Sequence, residues 1–77
     1  MNITLVESTT LTAVAYDDAG GILQLEFRSG AIYRYSGIAA AVHEDLMRAS
    51  SKGKYFNRAI RGRFPCALTA KAQTGAA

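Results

Sequence analysis

The 77-residue chain has only one cysteine and one histidine, and it contains no run of about 18 apolar residues. The single cysteine, Cys66, excludes an internal disulfide, and His43 has no second histidine with which to form a zinc-type site. The missing apolar run excludes a transmembrane helix, and the N-terminus lacks the basic start of a signal peptide. We therefore expect one small cytoplasmic domain that binds no metal, no cofactor and no membrane.

Catalytic groups are equally scarce. Cys66 and His43 are candidates for a nucleophile–base pair, but Cys66 follows Pro65 near the chain end, where a nucleophile is poorly positioned. Asp17 and Asp18 are adjacent in a glycine-rich stretch, which is typical of a turn rather than of a catalytic carboxylate pair. The chain also lacks a glycine-rich phosphate loop with the Walker spacing. The sequence therefore predicts a protein that is not an enzyme.

Acidic residues are missing from the second half of the chain. All six aspartates and glutamates lie before residue 46, whereas six of the nine lysines and arginines lie between Arg48 and Arg63. The positive charge, +3 overall, is therefore concentrated in one segment. Such a segment attracts phosphate groups, acidic proteins or membrane surfaces, and it can equally form an ordinary solvated helix face.

Alternating apolar and polar residues predict three β-strands, at residues 11–16, 23–28 and 31–35. Gly20-Gly21 fits the loop of a first hairpin, and Ser29-Gly30 fits the two-residue turn of a second hairpin. The spacing therefore predicts a three-stranded antiparallel β-meander.

The lengths of the two hairpin loops set the predicted register. For loops at 18–20 and 29–30, the expected cross-strand partners are Leu11 with Phe27, Ala15 with Leu23, Glu26 with Tyr33 and Gln24 with Tyr35. The predicted core face carries Leu11, Ala13, Ala15, Leu23, Leu25, Phe27 and Ile32. The opposite face carries Val14, Tyr16, Ile22, Arg28, Tyr33 and Tyr35. A slip of one residue would move the tyrosines to the other face.

The helical spacing of apolar residues predicts a first helix from about Ala39 to Ser50, with Gly53 as its left-handed C-cap. A second, shorter helix is predicted from Lys54 to Arg61. Both helices are expected to pack on one face of the sheet, which gives an α+β fold. We assign residues 1–66 to a single domain and residues 67–77, which lack large anchoring side chains, to a mobile C-terminal tail.

The second predicted helix places three positive side chains along one stripe. Lys54, Arg58 and Arg61 follow the spacing i, i+4, i+7, and Lys52 and Arg63 lie nearby. Flexible positive side chains along one surface are what sequence-independent phosphate contacts require. The alternative interpretation is a solvated helix face without a ligand.

The Tyr33-Arg34-Tyr35 element is a second candidate for binding. On the predicted register Tyr33 and Tyr35 face away from the core, where exposed aromatic rings can stack on nucleobases. Arg28 on the same face would hold a phosphate. The alternative interpretation is that both rings are buried and that only their hydroxyls reach water.

From about Ser8 to Phe64 the chain resembles the KTSC family, small domains named for an extension at the C-terminus of some lysyl-tRNA synthetases. The residues that carry the resemblance are Phe27, Gly30, Tyr33-Arg34-Tyr35, the stretch 49–57 and Ile60-Arg61. The pattern Ser-x-Gly-x-Tyr-Phe-Asn-x-x-Ile-Arg, which starts at Ser51, is the most specific part. The chain departs from the family at Ile38-Ala39, where Val-Pro is frequent. The resemblance implies a bacterial or phage protein without known enzyme activity, for which RNA binding has been suggested.

Together these patterns predict a small non-catalytic module that binds RNA or another nucleic acid. The expected contact residues are Arg28, Tyr33, Tyr35, Lys52, Lys54, Arg58, Arg61 and Arg63. The alternative is a protein-interaction or homodimerisation module that uses the open face of the sheet. The sequence leaves the choice between a monomer and a homodimer open.

Overall fold

Each strand of the sheet pairs with its neighbour along the chain. In the computed structural model, which describes residues 3–71, five strands form one antiparallel sheet in the order β1-β2-β3-β4-β5. The strands are β1 (Ile3–Leu5), β2 (Leu11–Asp17), β3 (Ile22–Phe27), β4 (Ala31–Tyr35) and β5 (Cys66–Lys71). Helices α1 (Ala40–Arg48) and α2 (Lys52–Ala59) connect β4 to β5. In the part of the chain that is described, no helix is long and apolar enough to cross a membrane.

The α+β class is confirmed, but the sheet has five strands where we predicted three. Strand β5 occupies part of the predicted mobile tail, so that prediction is wrong for residues 67–71. The rest of the predicted tail, residues 72–77, lies outside the described residues. The composition of β5 was misleading because a strand of small side chains can be held by its backbone hydrogen bonds to a neighbour. Here Leu68 pairs with Tyr33 and Cys66 pairs with Tyr35.

The predicted register of the second hairpin is wrong by one residue. Leu25 pairs with Tyr33 and Leu23 pairs with Tyr35. The turn contains three residues, 28–30, instead of two. The Gly30 amide donates to the Phe27 carbonyl at 2.9 Å, and Gly30 adopts a φ of 96° that favours glycine. The extra loop residue moves every side chain of β4 to the other face. The two tyrosines therefore lie on the face that the helices cover.

The first hairpin also has one more loop residue than predicted, but a β-bulge compensates for it. Asp17 pairs with Ile22, which leaves a four-residue loop, and the bulge lies between Leu11 and Ala13. The predicted pair of Leu11 with Phe27 is therefore confirmed, whereas Leu23 faces Tyr16 instead of Ala15. As a result Val14 and Tyr16 take the places on the helix-covered face that we assigned to Ala13 and Ala15, and both alanines lie on the opposite face.

The core lies between this sheet face and the two helices. Its members come from β2, β3, β4, the segment before α1, and both helices. They are Leu11, Val14, Leu23, Leu25, Tyr35, Ile38, Leu46, Phe56 and Ile60. Seven of these nine side chains, all except Tyr35 and Phe56, are almost completely removed from water. The hydrophobic effect therefore fixes the position of both helices on the sheet.

The junction between the helices differs from the predicted glycine cap. Gly53 lies inside the first turn of α2, where a Cβ atom would collide with the side chain of Thr10. Glycine is therefore needed for close packing of α2 against the start of β2, and not to end α1. The side chain of Lys52 fulfils the capping role, because its Nζ donates to the carbonyls of Met47 and Ala49, each at 3.2 Å.

Candidate functional site

A cleft of about 550 Å³ opens between the helix-covered face of β4 and the C-terminal end of α2. Its aromatic lining consists of Phe27, Tyr33, Tyr35 and Phe56. Its polar lining includes Thr10, Ser29, Asn57, Arg61 and Cys66. Small-molecule sites have the same composition, a mainly apolar cavity with a few polar groups, and volumes of roughly 300–1,000 Å³.

The four aromatic rings form one connected cluster. Phe27 meets Tyr33 edge to face with ring centroids 5.7 Å apart, and it meets Phe56 in the same way at 5.3 Å. Phe56 in turn contacts Tyr35 at 5.7 Å. Edge-to-face pairs of this kind stabilise a fixed arrangement of rings. Tyr35 and Phe56 are only 5% and 6% exposed and form the floor, whereas Phe27 and Tyr33 are half-buried and retain surface for a ligand.

Tyr35 is buried beneath the cleft, and it pairs with Cys66 of β5. Burial raises the pKa of Tyr35 to about 12, neighbouring Cys66 and Tyr33 add to the rise, and Arg61 opposes it. The phenol therefore stays protonated at neutral pH and remains a hydrogen-bond donor. Cys66 pairs with Tyr35 across the sheet and is exposed, so a free thiol borders the cleft.

Arg61 enters the cleft because α2 ends two residues earlier than predicted. The helix stops at Ala59, and Gly62 follows with a φ of 74° in the turn behind it. Arg61 therefore leaves the straight stripe that we predicted for residues 54–61. Its Nη1 donates to Asn57 Oδ1 at 3.4 Å, and both side chains line the cleft. A positive charge is thus held at the rim of an aromatic cavity.

Lys54 and Arg58 remain on α2, and both side chains are exposed. The guanidinium carbon of Arg58 lies 5.5 Å from the centroid of the Tyr55 ring, within cation–π distance. On a helix Lys54 neighbours both Arg58 and Asn57, at spacings of four and three residues. Lys54 and Arg58 therefore lie along α2 outside the cleft, which Arg61 lines.

The other three positively charged residues that we predicted as contacts form hydrogen bonds within the protein. They are Arg28, Lys52 and Arg63. Lys52 caps α1, and Arg63 Nε donates to the Arg58 carbonyl at 2.8 Å. Arg28 lies in the turn between β3 and β4, not on an open face with the tyrosines, and its Nε donates to the Ser8 carbonyl at 2.7 Å. These bonds give all three side chains a structural role.

The structure separates the two residues that we considered as a nucleophile–base pair. His43 stacks on the ring of Tyr16 with centroids 4.6 Å apart. Tyr16, Leu23, Tyr35 and Cys66 pair successively across four strands, so Tyr16 and Cys66 are about 14 Å apart at the usual strand spacing. Among residues 3–71, no group of three or more His, Cys, Asp or Glu side chains could hold a metal ion.

Eight of the eleven residues that line the cleft were not among our predicted contacts. Among them are Phe27, which we assigned to the core, and Phe56, Asn57 and Cys66. The signal that could have found three of them is the family pattern, because it contains Phe27, Phe56 and Asn57. The residues that carry the resemblance and also line the cleft are Phe27, Tyr33, Tyr35, Phe56, Asn57 and Arg61.

The fold has a counterpart in a solved structure, and most of the chain matches proteins from bacteria. A crystal structure of a KTSC domain protein from Yersinia pestis superposes with a TM-score of 0.87 at 30% identity, covering 90% of this chain and 97% of that one. A protein from Tsukamurella paurometabola is 41% identical over 59 residues, which are 77% of this chain and 88% of the relative.

Longer proteins also match. A lysine–tRNA ligase from Nostoc punctiforme is 38% identical over 58 residues, which are 75% of this chain and only 10% of the ligase. The chain therefore corresponds to a small part of that enzyme. The sequence pattern of the KTSC domain matches residues 7–64. Because this match covers most of the chain and includes every cleft residue except Cys66, the chain belongs to the KTSC domain family.

Proposed function

We propose that this KTSC domain is a non-catalytic module that binds RNA through the aromatic cleft and the neighbouring positive side chains of α2. The observation that carries the proposal is that Tyr33 and Arg61, from distant parts of the sequence, line the same cleft. An aromatic ring and a cation in one cavity match the two parts of a nucleotide, its base and its phosphate.

The two kinds of contact contribute differently to binding. Stacking of a base on an aromatic side chain is worth roughly 1–3 kcal/mol and tolerates any base. Phosphate contacts by Arg61, Arg58 and Lys54 add attraction that is independent of sequence and is weakened by salt. A protein that uses both should bind RNA without strict sequence preference.

The longer proteins that contain a matching region support an RNA ligand. Three of the similar proteins are lysine–tRNA ligases, in which the matching region is 10% of the length. A small basic domain carried by an enzyme that acts on tRNA is well placed to add general affinity for RNA.

Charge reversal tests the proposal. In the double variant Arg58→Glu/Arg61→Glu, we expect affinity for a fluorescently labelled RNA to fall tenfold or more. The matched control is Arg34→Glu/Arg48→Glu, which makes the same change in net charge at exposed positions outside the cleft.

The dependence of affinity on salt is a second measurement. Affinity measured by anisotropy at increasing salt should fall with a logarithmic slope of about −2 if three phosphates are bound, since single strands give about −0.7 per phosphate. Equal losses in both double variants, or no salt dependence, would refute the proposal.

A second candidate is protein interaction through the open sheet face, now with different residues. Val14, Tyr33 and Tyr35 are not on that face, but Ile3 and Leu5 of the edge strand β1 are 61% and 83% exposed. Exposed apolar side chains on an edge strand favour pairing with another chain. If this is the interface of a homodimer, the mass in solution should be that of two chains, and Leu5→Lys should return it to that of one.

A further inference from the structure

We infer that the cleft accepts one unpaired nucleotide, with its base stacked on Tyr33 and its phosphate on Arg61, and that this makes the domain selective for unpaired over paired RNA. The inference rests on the proposed function and deepens it, because it names the structural class of RNA and the number of bases recognised.

The exposure of the four rings limits the site to one base. Tyr35 and Phe56 are almost fully buried, so neither ring offers a free face. The Phe27 ring is turned 89° from that of Tyr33. A base that stacks on Tyr33 therefore presents its edge to Phe27, and a second base cannot be sandwiched in parallel between them.

A paired base cannot make this contact. In an A-form helix both faces of each base are covered by its neighbours, and proteins read such helices mainly through shape, hydroxyls and phosphates. Entry into the cleft requires that the base first leave the stack, which costs a few kcal/mol in a duplex and least where the base is already unpaired. A bulged or single-stranded nucleotide is consequently favoured.

The polar lining is suited to the edge of the base and to its phosphate. Asn57 lines the cleft, and because its Oδ1 accepts a hydrogen bond from Arg61, its amide NH₂ group is available to donate to a ligand. The protonated Tyr35 hydroxyl is a second polar group at the floor. Donors toward a base edge, and a guanidinium beside them, distinguish this cavity from a purely apolar groove for a peptide side chain.

The spacing of the positive side chains fits a strand that passes the cleft. Lys54 and Arg58 are four residues apart, about 6 Å along the helix axis. Arg61 follows at the rim of the cavity. One inserted nucleotide can therefore keep its own phosphate on Arg61 while the adjoining backbone follows α2.

The test compares two RNAs that differ by one nucleotide: a hairpin whose stem is fully paired and closed by a non-nucleotide linker, and the same hairpin with a single adenosine bulged from its stem. The wild-type protein should bind the bulged RNA at least tenfold more tightly. Tyr33→Ala should remove this preference while weak binding of the paired hairpin remains, and Tyr33→Phe, which keeps the ring, should retain the preference.

Cys66 supplies a readout that needs no substitution. Its thiol is exposed and lines the cleft, so N-ethylmaleimide should modify it in the free protein. The bulged RNA should slow this modification strongly, and the paired hairpin should not. This measurement decides the question on the wild-type protein even if Tyr33→Ala fails to fold.

The outcomes separate this inference from the proposed function. Equal, salt-sensitive binding of both RNAs without protection of Cys66 would overturn nucleotide insertion and leave RNA binding intact. No binding of either RNA would overturn both proposals. Protection of Cys66 by an acidic peptide, together with no protection by RNA, would show that the cleft takes protein ligands instead.

Discussion

The two ends of the helix-covered sheet face use tyrosine in opposite ways. At one end Tyr16 is fully engaged, since its hydroxyl donates to the Ile38 carbonyl at 2.6 Å and its ring stacks on His43. At the other end Tyr33 packs edge to face against Phe27 and remains half-exposed in the cleft. We call the first region the closed end, defined by Tyr16, Ile38 and His43, and the second the cleft.

This difference shows why residue type alone does not identify a binding residue. Tyr16 fixes the segment before α1 to the sheet, and the Ile38 amide completes the attachment by donating to the Gly21 carbonyl at 2.9 Å. The Tyr16 hydroxyl and both backbone polar groups of Ile38 therefore have partners within the protein. In the cleft, by contrast, aromatic surface and a positive charge lie together beside open space, which is the condition for binding an external ligand.

The largest effect is expected at the closed end. Tyr16→Ala removes a half-buried ring, its stack and the hydrogen bond to Ile38, so it should lower the free energy of unfolding by about 3 kcal/mol. Tyr33→Ala should cost less than half as much, because the Tyr33 hydroxyl makes no hydrogen bond within residues 3–71. Chemical denaturation of both variants measures the difference. Equal losses would mean that the cleft tyrosine is as structural as Tyr16.

Close packing at the start of α2 gives the next largest effect. Gly53→Ala would normally favour a helix, by roughly 1 kcal/mol. Here the added Cβ meets the side chain of Thr10, which also lines the cleft, so we expect a net loss of about 1–2 kcal/mol from overpacking. In a Thr10→Ala background the same substitution should become neutral or stabilising. If Gly53→Ala is harmless with Thr10 present, the contact does not fix α2 beside the cleft.

The difference between the two ends also marks the limit of sequence analysis. The hairpins, both helices and much of the core follow from local patterns, because period and turn chemistry are local properties. The number of loop residues is less well determined. At β2–β3 the bulge after Leu11 restores only the pair of Leu11 with Phe27, and at β3–β4 the error of one residue extends along the whole of β4.

That second error hid the candidate site. Tyr33, Tyr35 and Arg61 were all predicted contacts, but the wrong register placed the tyrosines on the face opposite the helices. The cleft exists only when β4 is turned toward α2 and when α2 ends before Arg61. Gly53 was misread for a related reason, since its contact with Thr10 joins residues that are distant in sequence.

Alkaline pH should affect the cleft through Tyr35. The pKa of this tyrosine is about 12 in the folded protein and about 10 when it is exposed on unfolding. A raised folded pKa stabilises the protein fully below pH 10, and that contribution is lost as the pH rises toward 12. We therefore expect wild-type stability to fall more steeply over this window than that of Tyr35→Phe. Parallel curves for the two proteins would show that the Tyr35 hydroxyl is not held in an apolar site.

The smallest effect separates two lysines that are two positions apart. Lys52→Ala removes the cap on α1 and should lower stability by about 1 kcal/mol with little change in RNA affinity, because the Nζ is already bonded to two carbonyls. Lys54→Ala should leave stability unchanged and weaken RNA binding a few-fold, with a salt slope smaller by about 0.7. Chemical denaturation measures stability and anisotropy measures RNA affinity, and each variant should change only one of the two. If the two lysines behave alike in either assay, then engagement within the fold does not distinguish structural from binding residues here.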